Sequence, residues 1–128
     1  MTLPPDPYGL YEQLLEAHNK IRAEHGKEPL QLDTSLEVIA QEKADSMAYT
    51  NTLSHSGFPQ RYTQHKYKYL GAAENIAYGC TEVEPVVDMW KNDHPHFFNM
   101  VGDFNRVGFG VSVAHNGEWF WCADFAKV

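Results

Sequence analysis

The sequence predicts an α+β fold, a three-layer α–β–α sandwich with a small antiparallel sheet, and three observations lead to it. Two stretches in the first half have the periodicity of amphipathic helices. The chain closes on a β-hairpin pattern with Asn116-Gly117 at its turn, the strongest short-range hairpin signal. The final strand, Trp119–Phe125, is apolar on both faces, which is typical of a central strand covered by helices on both sides.

The composition indicates one globular domain. The chain has 128 residues, of which 43% are hydrophobic and 21% charged, so it can bury a single core. Residues 1–8 hold three prolines and are predicted to form an N-terminal arm, because proline disfavours helix. Residues 9–128 are predicted to form a single domain, since no repeat, low-complexity tract or linker interrupts them.

The first predicted helix covers residues 8–25. Its apolar stripe has spacings of four, three and four residues, and Gly26 is a natural C-terminal stop. The stripe consists of Leu10, Leu14, Ala17 and Ile21.

The second predicted helix begins with a capping box, in which Thr34 and Glu37 satisfy each other's backbone amides. It is expected to end near Tyr49. Its inward residues are Leu36, Ile39, Ala40, Ala44, Met47 and Ala48, and its predicted solvent face is Glu37, Gln41, Glu42 and Asp45.

A long irregular connection follows at residues 51–72, with a short helix predicted around residues 60–67. Connections of this length in a compact domain are usually functional or disordered. Because His55 lies within it, the functional alternative is favoured.

A strand is predicted at residues 73–79 and a second capping box at Thr81–Glu84, opening a helix that runs to about Asn92. Pro95 disfavours continued helix at His94, so His94 and His96 are expected in extended chain, pointing to opposite sides.

The hairpin pattern predicts a register. If Asn116 and Gly117 alone form the turn, Val113 faces Phe120, Ser112 faces Trp121 and Ala114 faces Trp119. Small residues then sit opposite large ones in two of these pairs, which supports this pairing.

Charge and hydropathy exclude several function classes. The formal net charge is -7 and no Lys/Arg cluster exists, so binding to nucleic acid is not expected. No apolar run approaches the ~18 residues of a membrane span, and no signal peptide is visible. A monomer or weak dimer is expected.

Cys80 and Cys122 could form one disulfide or remain two buried thiols, and the sequence leaves both alternatives open.

Four polar residues from separate stretches form the candidate site: His55, Glu74, Asp93 and His96. Imidazole and carboxylate groups are ligands for Zn²⁺, and Glu74 is expected to be partly buried and in need of a partner because apolar residues surround it. Hydrogen-bonded structural histidines are the alternative, since the spacing alone does not prove a metal site. His94, Ser56 and Asn75 are secondary candidates.

Several motifs together resemble the CAP superfamily, which includes cysteine-rich secretory proteins, antigen 5 and pathogenesis-related 1 proteins. Order and spacing agree from about residue 10 to the end. The matching segments are His18–Arg22, Leu53–His55, Ala73–Ala77, Trp90, His96–Met100, Val107–Val111 and Trp119–Phe125.

The resemblance implies an α–β–α sandwich whose cleft is lined by two histidines and two acidic residues. These correspond to His55, His96, Glu74 and Asp93. The last position is often Glu in the family, so Asp93 is one methylene shorter. Without cysteine-rich extensions, the chain is similar to a minimal microbial or viral member, and the resemblance implies an extracellular or surface-associated location.

The leading hypothesis is a binding protein without catalytic activity. No Gly-X-Ser-X-Gly elbow is present, and neither cysteine adjoins a motif histidine. A divalent cation, Zn²⁺ by expectation, would sit on His55 and His96, and a small ligand, lipid or protein partner would bind in or near the cleft. The alternatives are a zinc-dependent hydrolase with Glu74 as general base, and a structural or adhesive component of a virion or cell surface.

Overall fold

The computed structural model describes residues 9–128, and the predicted arm at residues 1–8 lies outside this range. The described chain forms five helices and four strands. In order they are α1 (Leu10–Glu24), β1 (Gln31–Leu32), α2 (Thr34–Thr50), α3 (Gln60–Gln64), β2 (Gly71–Tyr78), α4 (Val83–Lys91), α5 (His94–Met100), β3 (Arg106–Val113) and β4 (Trp119–Lys127).

The strands form one sheet in the order β1-β3-β4-β2, with helices on both faces. The predicted α–β–α sandwich is therefore confirmed, and so is the central position of β4, which lies antiparallel to β3 and β2. The sheet is antiparallel except at its edge, where the two-residue β1 pairs with β3 in parallel.

One face of the sheet is in backbone contact with α2. A Cβ atom added at Gly108 would lie 2.2 Å from the carbonyl carbon of Leu36, and one at Gly110 would lie 2.3 Å from the carbonyl oxygen of Ala40. Only glycine permits this approach. The two glycines of β3 therefore set the distance between α2 and the sheet.

The opposite face packs against α1, α4 and α5 and carries the largest hydrophobic cluster. His18 of α1 is fully buried there among the rings of Trp90, Phe109 and Phe125. The Trp90 indole also donates to the carbonyl of Ile76 (3.1 Å). This bond covers part of the outer edge of β2, which would otherwise present unpaired carbonyls.

The predicted helix caps differ from those observed. Asp33, one residue before Thr34, is the N-cap of α2, and its carboxylate accepts the amide of Leu36 (3.1 Å). The Thr81–Glu84 box is not formed, because α4 begins at Val83 after an N-cap residue with no side-chain capping bond. Both N-caps lie one residue from the predicted position, which is the usual uncertainty of a helix boundary.

Gln41 was assigned to the solvent face of α2, and this is wrong. Its side chain is buried and bonds both backbone groups of Val111, donating to the carbonyl (2.7 Å) and accepting from the amide (3.1 Å). Because β1 has only two residues, the edge of β3 that faces away from β4 is unpaired beyond Val107. The side-chain amide of Gln41 provides the missing hydrogen bonds at Val111.

The hairpin register is shifted by one residue from the prediction, since Val113 pairs with Trp119 and Ser112 with Phe120. The amide of Ala114 donates to the carbonyl of Glu118 (2.8 Å), which encloses three residues instead of two. Gly117 occupies the third position with φ 86°. A three-residue loop with glycine in the left-handed region is the next most common hairpin connection.

The segment after α4 was predicted to be extended, and this is also wrong. His94 begins α5, with Pro95 in its first turn, where the missing proline N–H needs no partner. His94 and His96 therefore lie on a helix. The two cysteines are free thiols, Cys80 half-buried and Cys122 buried, so of the two alternatives no disulfide forms.

Candidate functional site

Glu74 is the centre of the candidate site. It lies on β2 with a side chain that is 1% exposed, as the apolar residues around it predicted. Its Oε1 lies at hydrogen-bonding distance, 3.0 Å, from Nδ1 of His55, and its Oε2 is bound by the guanidinium of Arg61. Both carboxylate oxygens therefore have a partner, one from the long connection and one from α3.

Arg61 joins two buried carboxyl groups. Besides Glu74, it contacts Oδ2 of Asp124 at 3.3 Å. Asp124 of β4 is the residue directly opposite Glu74 of β2 in the sheet. It also donates to the carbonyl of Ile39 on α2 (3.3 Å). Asp124 is fully buried and Arg61 is only 12% exposed, so this cluster is largely shielded from bulk solvent.

The two carboxyl groups differ in charge. Burial opposes ionisation of Glu74, but the Asp124 carboxyl, which bonds to it, and the Arg61 charge lower its pKa below the ordinary value. Burial, together with the adjacent Glu74, raises the pKa of Asp124 well above its usual range. Asp124 is thus the neutral member of the pair and Glu74 the ionised one.

The His55 segment is anchored through its backbone. Nζ of Lys43, a buried residue of α2, donates to the carbonyl of Ser56 (2.8 Å). The amide of Arg61 donates to the carbonyl of Gly57 (2.9 Å). The His55 side chain itself is 54% exposed, so one edge of its ring meets Glu74 and the rest faces solvent.

His96 has a similar arrangement on α5. Oδ2 of Asp93, the N-cap residue, lies 2.6 Å from Nδ1 of His96, although the approach is not aligned as a hydrogen bond. Asn75 donates to the His96 carbonyl (3.0 Å) and accepts from Asn99 (2.9 Å). These bonds fix the first turn of α5 to β2.

Adjacent residues of β2 therefore hold the two histidine segments, Glu74 through the side chain of His55 and Asn75 through the backbone of His96. Their side chains leave opposite faces of the sheet because strand residues alternate. The structure pairs His55 with Glu74 and Asp93 with His96. Joint binding of one cation by His55 and His96 stays a prediction, as does a ligand role for His94, whose exposed ring packs edge-on against Phe98.

Comparison with known proteins assigns the chain to a family. The profile of the cysteine-rich secretory protein (CAP) family matches residues 15–125, most of the chain. The protein belongs to the CAP family.

Relatives of this CAP domain include an uncharacterised Bacillus subtilis protein, YkwD, which is 32% identical over 97% of this chain and 50% of its own length. An outer surface protein of Borrelia burgdorferi has the same fold, with a TM-score of 0.86, 22% identity and coverage of 99% and 98% of the two chains. NaASP2, solved with Zn²⁺, has a TM-score of 0.68 at 16% identity, over 94% of this chain and 82% of its own. The CAP domain spans only about half the length of its Bacillus relative.

One group of described side chains has the spacing of a metal site, but its chemistry does not fit one. Potential ligand atoms of Glu74, Cys122 and Asp124 lie within 4.8 Å of one another. Burial raises the pKa of the Cys122 thiol well above its ordinary value, Asp124 is neutral, and Arg61 already binds Glu74. Metal ligands must be deprotonated, so this group does not fit a cation.

His55 and His96 differ from this group in their surroundings. Each has Nδ1 against a carboxylate, and across residues 9–128 no hydrogen bond to Nε2 of either ring is found. A carboxylate hydrogen-bonded to Nδ1 is the usual outer shell of zinc sites, because it orients the ring and leaves the second nitrogen for the metal, and His55 with Glu74 has this arrangement.

A separate groove lies between α1 and α4. It encloses about 530 Å³, within the usual size range of small-molecule sites. Its floor is apolar and its rim carries four acidic and two basic side chains. The lining includes Ala17, Ile21, Val83 and Val87 on the floor and Glu16, Lys20, Glu24, Glu84, Asp88 and Lys91 on the rim. No helix in residues 9–128 is long and apolar enough to cross a membrane.

Sequence reasoning missed Arg61, Asp124 and Lys43. Asp124 had a usable signal, since a single carboxylate interrupts a strand that is otherwise apolar on both faces. Such a residue must find a partner inside the core. Arg61 and Lys43 had no comparable signal, because each lies among polar residues that could equally face solvent.

Proposed function

We propose that this CAP domain is a binding protein without catalytic activity, in which His55 and His96 take a divalent cation, Zn²⁺ by expectation. The observation that carries the proposal is the carboxylate at Nδ1 of each ring, Glu74 for His55 and Asp93 for His96. Both imidazoles remain partly exposed, at 54% and 29%. A NaASP2 structure with Zn²⁺ supports the choice of metal.

The residues that would hold the cation are His55 and His96, each through Nε2, and the cation would supply a fixed positive charge at the surface. Glu74 orients the His55 ring, Asp93 lies against Nδ1 of His96, and Asn75 holds the α5 end of the site. Because the His55 segment is exposed and tied down mainly through its backbone, a ligand on its imidazole would order it. The site would then present a defined surface to a protein partner. The outer-surface location of the Borrelia relative supports an extracellular or surface-associated role.

Titration calorimetry with Zn²⁺ tests the cation site. The wild-type chain is expected to bind one equivalent, and His55→Ala and His96→Ala are each expected to weaken binding at least about tenfold, because each removes a ligand.

His115, a histidine at the hairpin turn, provides the control, and His115→Ala should bind as the wild type does. Binding by the wild type that persists unchanged in the double variant would assign the cation to other residues. No binding heat from the wild type would remove the metal from the proposal.

The α1–α4 groove is the proposed position of a small amphiphilic ligand, such as a lipid. Its apolar floor and its volume support this. A fluorescent fatty-acid probe is expected to bind the wild type, and Ala17→Phe should reduce that binding several-fold by filling the groove. His55→Ala should leave it unchanged, since His55 is not in the lining. Equal probe binding by Ala17→Phe and the wild type would place the ligand elsewhere.

The hydrolase alternative has less support. A general base needs a free lone pair and a pKa near the working pH. Glu74 has a lowered pKa, an almost unexposed side chain and partners on both oxygens. A structural or adhesive surface role is compatible with the same fold and site, and it differs from the proposal in requiring no cation.

A further inference from the structure

The interaction between His55 and Glu74 depends on residues further inside the protein. Glu74 keeps its charge at 1% exposure, which requires a counter-charge because a buried carboxylate would otherwise take up a proton. Arg61 is the cation in contact with it. Arg61 therefore provides a counter-charge that stabilises the Glu74 carboxylate facing His55.

Arg61 also determines which oxygen of Glu74 is available. Its guanidinium binds Oε2, and the Cys122 thiol lies 3.7 Å from the same oxygen. Oε1 alone remains for His55. Because an ionised carboxylate only accepts hydrogen bonds, the nitrogen of His55 that faces it must carry the proton.

The guanidinium itself cannot turn freely. Nη1 contacts both Oδ2 of Asp124 and the carbonyl of Ile39, while Nη2 binds Glu74. The backbone amide of Arg61 holds Gly57, two residues from His55. Arg61 thus connects the His55 segment, α2, β2 and β4. Its planar guanidinium, with several donors in fixed positions, makes this possible, and no other side chain has that geometry.

We propose that Arg61 is a positioning residue for the cation site: it fixes Glu74 so that His55 carries its proton on Nδ1 and keeps the lone pair of Nε2 for the ligand. This inference rests on the proposed function for the identity of the ligand, but the tautomer of His55 is a property of the metal-free protein. Neither Arg61 nor Asp124 would touch the cation.

The experiment is long-range ¹H–¹⁵N correlation NMR of histidine-labelled, metal-free protein at a pH where His55 is neutral, with His55→Ala assigning the signals. The wild type is expected to show His55 as the Nδ1–H form. Arg61→Gln should shift His55 towards the Nε2–H form and weaken Zn²⁺ binding about 10–100-fold, as loss of an outer-shell partner does. Arg61→Lys should restore part of the Nδ1–H population and part of the Zn²⁺ affinity, because lysine returns the positive charge but not the planar guanidinium.

The matched control is Arg106→Gln, since the Arg106 guanidinium contacts only the neighbouring Asn105 carbonyl among its described hydrogen bonds. It should leave the tautomer and the Zn²⁺ affinity unchanged. Circular dichroism identifies the folded variants, and Arg61→Lys decides the result if Arg61→Gln does not fold. A wild-type His55 tautomer in every folded Arg61 variant overturns the proposal. A wild type that shows the expected tautomer but binds no Zn²⁺ removes the cation from the proposed function and leaves the positioning role supported.

Discussion

Arg61→Met is expected to lower the free energy of unfolding by about 3–5 kcal/mol at neutral pH, the usual cost of removing one partner from a buried ion pair. The substitution keeps most of the side-chain volume but removes the cation that is paired with the buried Glu74 carboxyl group. The loss therefore comes from electrostatics and not from a cavity. Urea denaturation of the two proteins at pH 7 measures it.

The pH dependence of the stability loss in Arg61→Met shows whether the Glu74 carboxyl group causes that loss. In the wild type the pKa of Glu74 is lowered from 4.5, so its contribution to stability is present above that value and is lost as the pH falls through the lower folded pKa. Without Arg61, burial should raise the folded pKa above the unfolded one. The penalty in Arg61→Met is then relieved as the pH falls, and the gap to the wild type should narrow between pH 7 and pH 5.

Adding Glu74→Gln to Arg61→Met gives the internal control. The double variant carries no uncompensated carboxylate at this position, so it should regain part of the stability that the single variant loses. If Arg61→Met lowered the free energy of unfolding by less than about 1 kcal/mol, and by the same amount at pH 7 and pH 5, the ion pair would be structurally unimportant.

Gly110→Ala is expected to destabilise the protein by about 3 kcal/mol or more, at or above the upper end of the usual cost of overpacking. The added Cβ would lie 2.3 Å from the Ala40 carbonyl oxygen and 2.6 Å from the Gln41 amide nitrogen. These are backbone atoms of α2 that cannot rotate away. The helix must move off the sheet, which also disturbs the bonds of Gln41 to Val111.

Gly71→Ala is the matched control on another strand of the same sheet. A Cβ there would have its nearest neighbours at 3.9 Å, which is ordinary contact distance. It should be within about 0.5 kcal/mol of the wild type or slightly more stable. Thermal unfolding followed by circular dichroism compares the two variants, and equal melting temperatures would contradict the close contact between α2 and β3.

Much of the fold could be predicted because it depends on local periodicity and on burial. The apolar faces of Trp119–Phe125 correctly indicated a central strand with helices on both sides. The apolar neighbours of Glu74 correctly indicated a buried carboxylate that needs a partner, and His55 is one of its partners. These features follow from the polarity of side chains and the alternation of a strand.

Other features were predicted wrongly because competing local solutions differ by little free energy. The three-residue loop was chosen over the two-residue turn at Asn116-Gly117, and this shifted the pairing of Val113 by one residue. Gln41 looked like a solvent-facing residue, yet the short β1 leaves a gap beside Val111 that its amide fills. Neither the length of β1 nor the loop geometry is encoded in a short window.

By itself, the amino-acid order of this protein determined its layered architecture, its family and the polar groups that are available for binding, because hydrophobic periodicity and motif spacing act along the chain. Only the tertiary structure decided which of those groups meet. Arg61 and Asp124 reach Glu74 from α3 and β4, where burial raises the pKa of Asp124 while the pKa of Glu74 is lowered. That distinction depends on distance and burial, which exist only after the chain has folded.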